Sequence, residues 1–140
     1  MRKHILTIEQ RKKVDELKFS EQYESCAKYL ASIIDKLDIP SETDEKYEFG
    51  AAILELAVFC RITGDVSAFR RRLQIASEIL PEEDKFALLA KCFYLYGKDV
   101  ETANKYCDSF FIVADAGFRE RDSISKYYYE SVKDIKKKLF

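Results

Sequence analysis

Residues 51–81 read AAILELAVFCRITGDVSAFRRRLQIASEILP. Almost every residue from Ala51 to Cys60 is apolar, Thr63-Gly64-Asp65 interrupts the run, and Val66, Phe69, Leu73 and Ala76 then recur until Leu80-Pro81. Steps of three and four residues put these side chains on one face of a helix. Gly64 is the residue type that takes the left-handed backbone closing a helix, and Asp65 restarts the chain. The stretch therefore predicts two helices joined by a turn so short that they must lie antiparallel.

Working outward, Pro40 stands before Ser41-Glu42-Thr43-Asp44, which resembles a capping box and starts the helix at about 43. Upstream, Thr7 to Leu17 and Ser20 to Leu37 read as a first pair of helices. Downstream, Pro81-Glu82-Glu83-Asp84 gives a stop and then an acid-rich first turn that suits the helix dipole. The next helix runs from Phe86 to Tyr96 and ends at Gly97, Asp99 opens another through Phe110, and a last one covers about 121–139. The 140 residues, with four Gly and two Pro, contain too few breakers for many short strands. At 47% apolar and 35% charged they form an ordinary globular chain able to bury a core without metal or disulfide. The expectation is one all-α domain of about seven helices with connections of two to five residues: units at about 7–40, 41–81 and 82–117, then a capping helix. The helices at about 43–63 and 83–97 are apolar all round and should be central. Those at 65–80 and 99–116 are one-sided and should turn Arg70, Arg71, Arg72, Asn104, Lys105 and Asp108 to water.

Shifting the chain by 34 residues aligns Leu54 with Leu88, Phe59 with Phe93, Asp65 with Asp99 and Val66 with Val100. In the first unit Ile53-x2-Leu56-Ala57-x2-Cys60, Gly64-Asp65, Phe69-x3-Leu73, Ala76 and Pro81 fall where tetratricopeptide repeats place their signature residues. The chain resembles that family, departing where Phe69 replaces the small residue and where Asp115 stands in place of proline. The resemblance implies a right-handed stack of three antiparallel hairpins plus the capping helix, acting as a non-catalytic protein-interaction module or scaffold. The alternative architecture is an irregular helical bundle. In that family the inner faces of the first helices form a ligand groove, which carries here to Leu54, Val58 and Arg61, then Leu88, Cys92, Leu95 and Tyr96. An amphipathic helix is the ligand such an apolar groove suits. Ile124, Tyr128, Val132 and Ile135 form one stripe of the last helix, so this helix either fills the groove as a cap or leaves it open.

Within 26–107, Leu37-Asp38-Ile39-Pro40, Ile53-Leu54-Glu55-Leu56-Ala57, Asp65 to Arg70, Leu80-Pro81-Glu82 and Leu88-Leu89-Ala90 are similar to the amino-terminal repeats of the smallest PCI-domain lid subunit of the 26S proteasome. Only about 30 residues follow, with no strand pattern for a winged helix. This likeness implies an assembly subunit packed against sister subunits.

Catalysis is not expected. His4 is the sole imidazole, and Cys26, Cys60, Cys92 and Cys107 lack the spacing of a metal or redox pair and read as buried thiols. The isolated glycines form no phosphate loop, so no metal or cofactor is expected. The acidic clusters at Glu42, Asp44, Glu45 and at Glu82, Glu83, Asp84 suit helix starts. The run Ile5 to Ile8 is too short for an export signal and nothing is apolar enough to span a membrane, which points to the cytoplasm or nucleus. Net charge is -1, with +3 in residues 1–18, -6 in 19–60 and +2 in 61–140, so nucleic acid is not the expected main partner. A basic surface of Arg70, Arg71, Arg72, Lys133, Lys136, Lys137 and Lys138, with Tyr127 to Tyr129 nearby, supports the alternative of a small RNA-binding protein. The bland reading is a solvated helix face. The predicted partner is another protein, with oligomeric state left open.

Overall fold

The computed structural model describes residues 5–97, 99–116 and 123–139. Among these the chain is all-helical: α1 (Ile8–Phe19), α2 (Tyr23–Ile34), α3 (Thr43–Ile62), α4 (Val66–Ile79), α5 (Glu82–Cys92) continued by a π-helical turn (Phe93–Gly97), α6 (Val100–Ala116) and α7 (Ser123–Leu139). The chain divides into two compact units, Met1–Leu80 and Pro81–Phe140.

In the first unit, local chemistry fixes each helix end. Thr7 and Gln10 form a reciprocal capping box at α1, with bonds of 3.0 and 2.9 Å. The box expected at Ser41 is absent. Glu42 is the N-cap of α3 instead, its carboxylate accepting from the backbone N–H groups of Asp44 and Glu45 at 3.1 and 2.9 Å. Gly64 does adopt the left-handed conformation, at φ +92, and Asp65 caps α4 by accepting from the Ala68 N–H at 3.0 Å. α2 stops at Ile34, short of the expected Leu37. Lys36 and Leu37 close tighter bonds to the carbonyls of Ile33 and Ile34, and Pro40 biases the residue before it to extended backbone. The connection to α3 therefore spans 35–42, longer than expected.

The Tyr23 ring, at the start of α2, stacks on Phe59 near the end of α3, 5.7 Å between centroids, so these helices run antiparallel. Gly50, early in α3, faces Ile79 and Leu80 at the end of α4, where an added Cβ would lie 2.8 Å from Ile79 Cγ2 and 2.9 Å from Leu80 Cγ. α3 and α4 are thus also antiparallel, and α2 and α4 run parallel. Residues buried on α3 fall on every side, among them Ile53, Leu54, Leu56, Val58 and Phe59, as its continuous apolar run requires. α1 is tied to α3 by polar links: Glu48 accepts from the Ile5 N–H at 3.2 Å, and Glu55 lies 3.7 Å from Arg11 and 3.4 Å from Lys18.

The second unit is a three-helix arrangement. Ala87 and Ala90 of α5, Cys107, Phe110 and Ala114 of α6, and Val132 and Ile135 of α7 form its core. α7 runs antiparallel to α6, because Lys136 Nζ reaches Asp108 Oδ1 at 2.7 Å and also donates to Asn104, while Tyr129 donates to Asp115 at 3.4 Å. α7 also packs against α5, with Val132 and Ile135 sharing the core with Ala87 and Ala90. α7 is therefore docked on both helices of its unit. Of the stripe expected to bury it, Val132 and Ile135 are buried and Tyr128 half-buried; the Ile124 side chain lies outside the described set. The plain helix expected up to Gly97 instead widens into a π turn at Phe93. The Phe93 ring stacks on Tyr106 at 5.8 Å, and its carbonyl accepts from the Asp99 N–H at 3.3 Å.

Candidate functional site

Within the first unit, α2 and α4 stand as parallel walls over α3 and leave a cleft of about 370 Å³ between them. Small residues make the room: Ala27 and Ala31 on α2, Ala68 on α4. The floor is Leu56, itself fully buried, half-buried Cys60 and Thr63, the C-cap of α3, at i, i+4 and i+7. Glu24 and Lys28 edge one wall, Arg71 and Arg72 the other, and Asp65 closes the end at the turn.

The far end is pinned electrostatically. Arg72 donates from its two terminal nitrogens to the two oxygens of Asp35, the C-cap of α2, at 2.5 and 2.9 Å. This bidentate fork is the strong form of an Arg–carboxylate pair. It holds the Asp35 carboxyl below its ordinary range and raises the Arg72 guanidinium. At the other end Lys28 lies 3.3 Å from Glu24, an exposed pair on one helix. Thr63 donates its hydroxyl to the carbonyls of Phe59 and Cys60 at 3.0 Å each.

Cys60 is the one half-buried thiol among four free cysteines. Burial pushes its pKa up, and the nearby Arg72 and Arg71 charges only partly offset this, so it is a thiol rather than a thiolate at neutral pH. Cys26 and Cys107, more deeply enclosed, are pushed up to about 11, each chiefly by burial. The cleft therefore offers shape, an apolar floor and rim charges of both signs. It offers no activated nucleophile, and no metal-holding cluster occurs among the described residues.

The groove carried over from the resemblance is corrected on α3. Leu54 and Val58 are fully buried, and with Gly50 and Arg61 they share the stripe at i, i+4, i+8 and i+11 whose first member packs on the end of α4. They are interior side chains that a partner cannot touch. Leu56 is buried just as completely, and of the two α3 residues that line the cleft only Cys60 is half-buried. Arg61 is exposed at the end of α3. In the second unit Cys92 is buried, Leu88 and Tyr96 are half-buried, and Leu95 is exposed on the π turn.

The basic side chains divide into paired and exposed ones. Arg72 is committed to Asp35, Lys136 to Asp108 and Asn104, and Lys138 to Asp134 at 3.0 Å. Arg70, Arg71, Lys133 and Lys137 are exposed. His4 lies outside the described residues. Sequence reasoning missed a charge cluster on the first unit: Lys18, 8% exposed, lies 3.2 Å from Asp15 and 3.4 Å from Glu55, with Arg11 beside both acids. The Asp15-x2-Lys18 spacing was a readable signal for half of it.

No family model, curated protein or solved structure matches the chain.

Proposed function

We propose that this chain is a non-catalytic protein-interaction module of helical-repeat type, and that its binding surface is the cleft lined by Ala27, Ala31, Cys60 and Arg71 rather than the buried stripe of Leu54 and Val58 on α3. The observation that carries this reading is the cleft itself: two parallel helices held apart by small residues, locked at one end by Asp35 and Arg72, over an apolar floor. Concave, mostly preformed sites of this size with a few convergent polar groups are typical recognition sites. Ile8 and Phe19, 88% and 84% exposed and eleven residues apart, lie on one outward stripe of α1 and add apolar surface of the kind used in association. Membership in a larger assembly fits the same surfaces. No helix among the described residues is long and apolar enough to cross a membrane, and a cytoplasmic or nuclear setting goes with this reading.

The test is affinity capture with the full chain from nuclease-treated extract, wild type beside Arg71→Glu and Lys133→Glu/Lys137→Glu. Protein partners that survive nuclease and disappear with Arg71→Glu support the reading. Association that is nuclease-sensitive and lost with the lysine variant replaces it with RNA binding. Absence of any partner, or turnover of a substrate, overturns it.

A further inference from the structure

We infer that the cleft is polarised and takes a short partner segment carrying a basic residue at one end, an acidic residue about 10 Å away at the other, and aliphatic side chains between. This deepens the interaction-module reading and rests on it. Because α2 and α4 run parallel, Glu24, Thr63 and Asp65 lie together at the turn end, and Ala31, Arg71 and Arg72 at the far end. Each wall, from Glu24 to Ala31 and from Asp65 to Arg72, covers seven helical steps, about 10 Å. Four extended residues span the same distance, and because alternate side chains leave opposite faces, those at the first and fourth positions address opposite walls, Glu24 on α2 and Arg71 on α4.

The charges at the two ends differ in sign and in how firmly they are held. At the turn end, Glu24 is about three-quarters exposed and so is its Lys28 partner, a pair of the weak exposed kind that gives way to an incoming cation. Asp65 spends one oxygen on the Ala68 N–H. At the far end, both terminal nitrogens of Arg72 are taken by Asp35, which leaves exposed Arg71 as the cation that meets a carboxylate. Between them Ala27 and Ala31, both half-buried, present carbon over buried Leu56 and Ala68, and Cys60, a neutral thiol, adds no charge. The complement of this surface is a basic–aliphatic–acidic segment, and charge complementarity of this kind selects partners more than it adds affinity.

Isotope-labelled full chain is titrated with the blocked tetrapeptides Lys-Leu-Leu-Glu, Lys-Leu-Leu-Lys and Glu-Leu-Leu-Glu, following the amide shifts of Ala27, Ala31, Cys60 and Ala68. The mixed peptide is expected to bind about fivefold more tightly than either single-sign peptide, the ratio that one exposed ion pair supplies. Arg71→Glu, an exposed change, is expected to make Lys-Leu-Leu-Lys the tightest of the three, and Ala31→Phe, which fills the cleft, to abolish the shifts. No shift at these amides, or a ranking that Arg71→Glu leaves unchanged, overturns the inference. Should the ranking fail while wild type still captures partners that survive Arg71→Glu, the cleft is eliminated and the chain remains an interaction module whose surface lies elsewhere. Should the ranking hold while no partner is captured, that reading falls and the polarised cleft stands.

Discussion

Arg72, in the middle of α4, and Asp35, at the C-cap of α2, are joined by two parallel N–H···O bonds of 2.5 and 2.9 Å across 37 residues of sequence. This fork clamps the two walls of the cleft without help from the helix between them.

Its contribution should depend on pH in one direction. Arg72 lowers the Asp35 pKa from its ordinary 3.8, so the stabilisation is complete above the unfolded-state value and disappears as pH falls through the lower folded-state value. Asp35 is 55% exposed, and solvent screening limits the pair to about 1 kcal/mol. Asp35→Asn is expected to lower the urea midpoint at pH 7 and to match wild type near pH 2; a deficit equal at both pH values contradicts it.

Gly50 and Gly64 should respond to alanine for different reasons. In mid-helix, Gly→Ala ordinarily gains about 1 kcal/mol. At Gly50 the new Cβ meets branched, inner atoms of Ile79 and Leu80 under 3.0 Å, and overpacking of about 1–3 kcal/mol outweighs that gain. At Gly64 the space is open, and the loss of about 1 kcal/mol comes from the left-handed backbone alone. Both variants should unfold at lower denaturant than wild type, and a stabilised Gly50→Ala would show that α3 and α4 are not so close.

Lys18 and Glu55, at 8% and 19% exposure, form a half-buried pair whose members depend on each other. Glu55→Gln should cost about 2 kcal/mol, less than a fully buried break because Asp15 remains on Lys18. Lys18→Met combined with Glu55→Leu should recover most of that loss. Additive losses in the double variant, measured by denaturation, would argue that the pair is not coupled.

Thiol reactivity should rank by enclosure. Cys60 lines the cleft, whereas Cys26 and Cys107 are buried with pKa values pushed to about 11. Mass spectrometry after brief alkylation at pH 8 should find Cys60 labelled first, and earlier labelling of Cys26 or Cys107 would contradict the packing described.

Much of the helical plan was legible because it is written in a few backbone-restricting residues. Gly64, Asp65 and Pro81 marked the α3–α4 hairpin, and Val132 and Ile135 marked the buried face of α7. The cleft-facing part of α3 was not legible. A helix apolar on all sides has no periodic signal to say that Leu54, Leu56 and Val58 are all buried while Cys60 stays half-buried at the cleft, and only the packing of α2 and α4 decides it. Arg72 read as surface charge because Asp35 is local to nothing in the sequence around it. The capping of α3 by Glu42 instead of Ser41 reflects a choice between neighbouring side-chain acceptors that spacing alone does not make.

The most direct test of the cleft as a recognition site places a benzophenone side chain at Ala31 of the full chain, with Lys105 on α6 as the control position. Irradiation in extract should give a discrete protein adduct from position 31 that is absent from position 105 and lost when Arg71→Glu is added. No adduct from position 31, or the same adduct from both positions, would contradict the account.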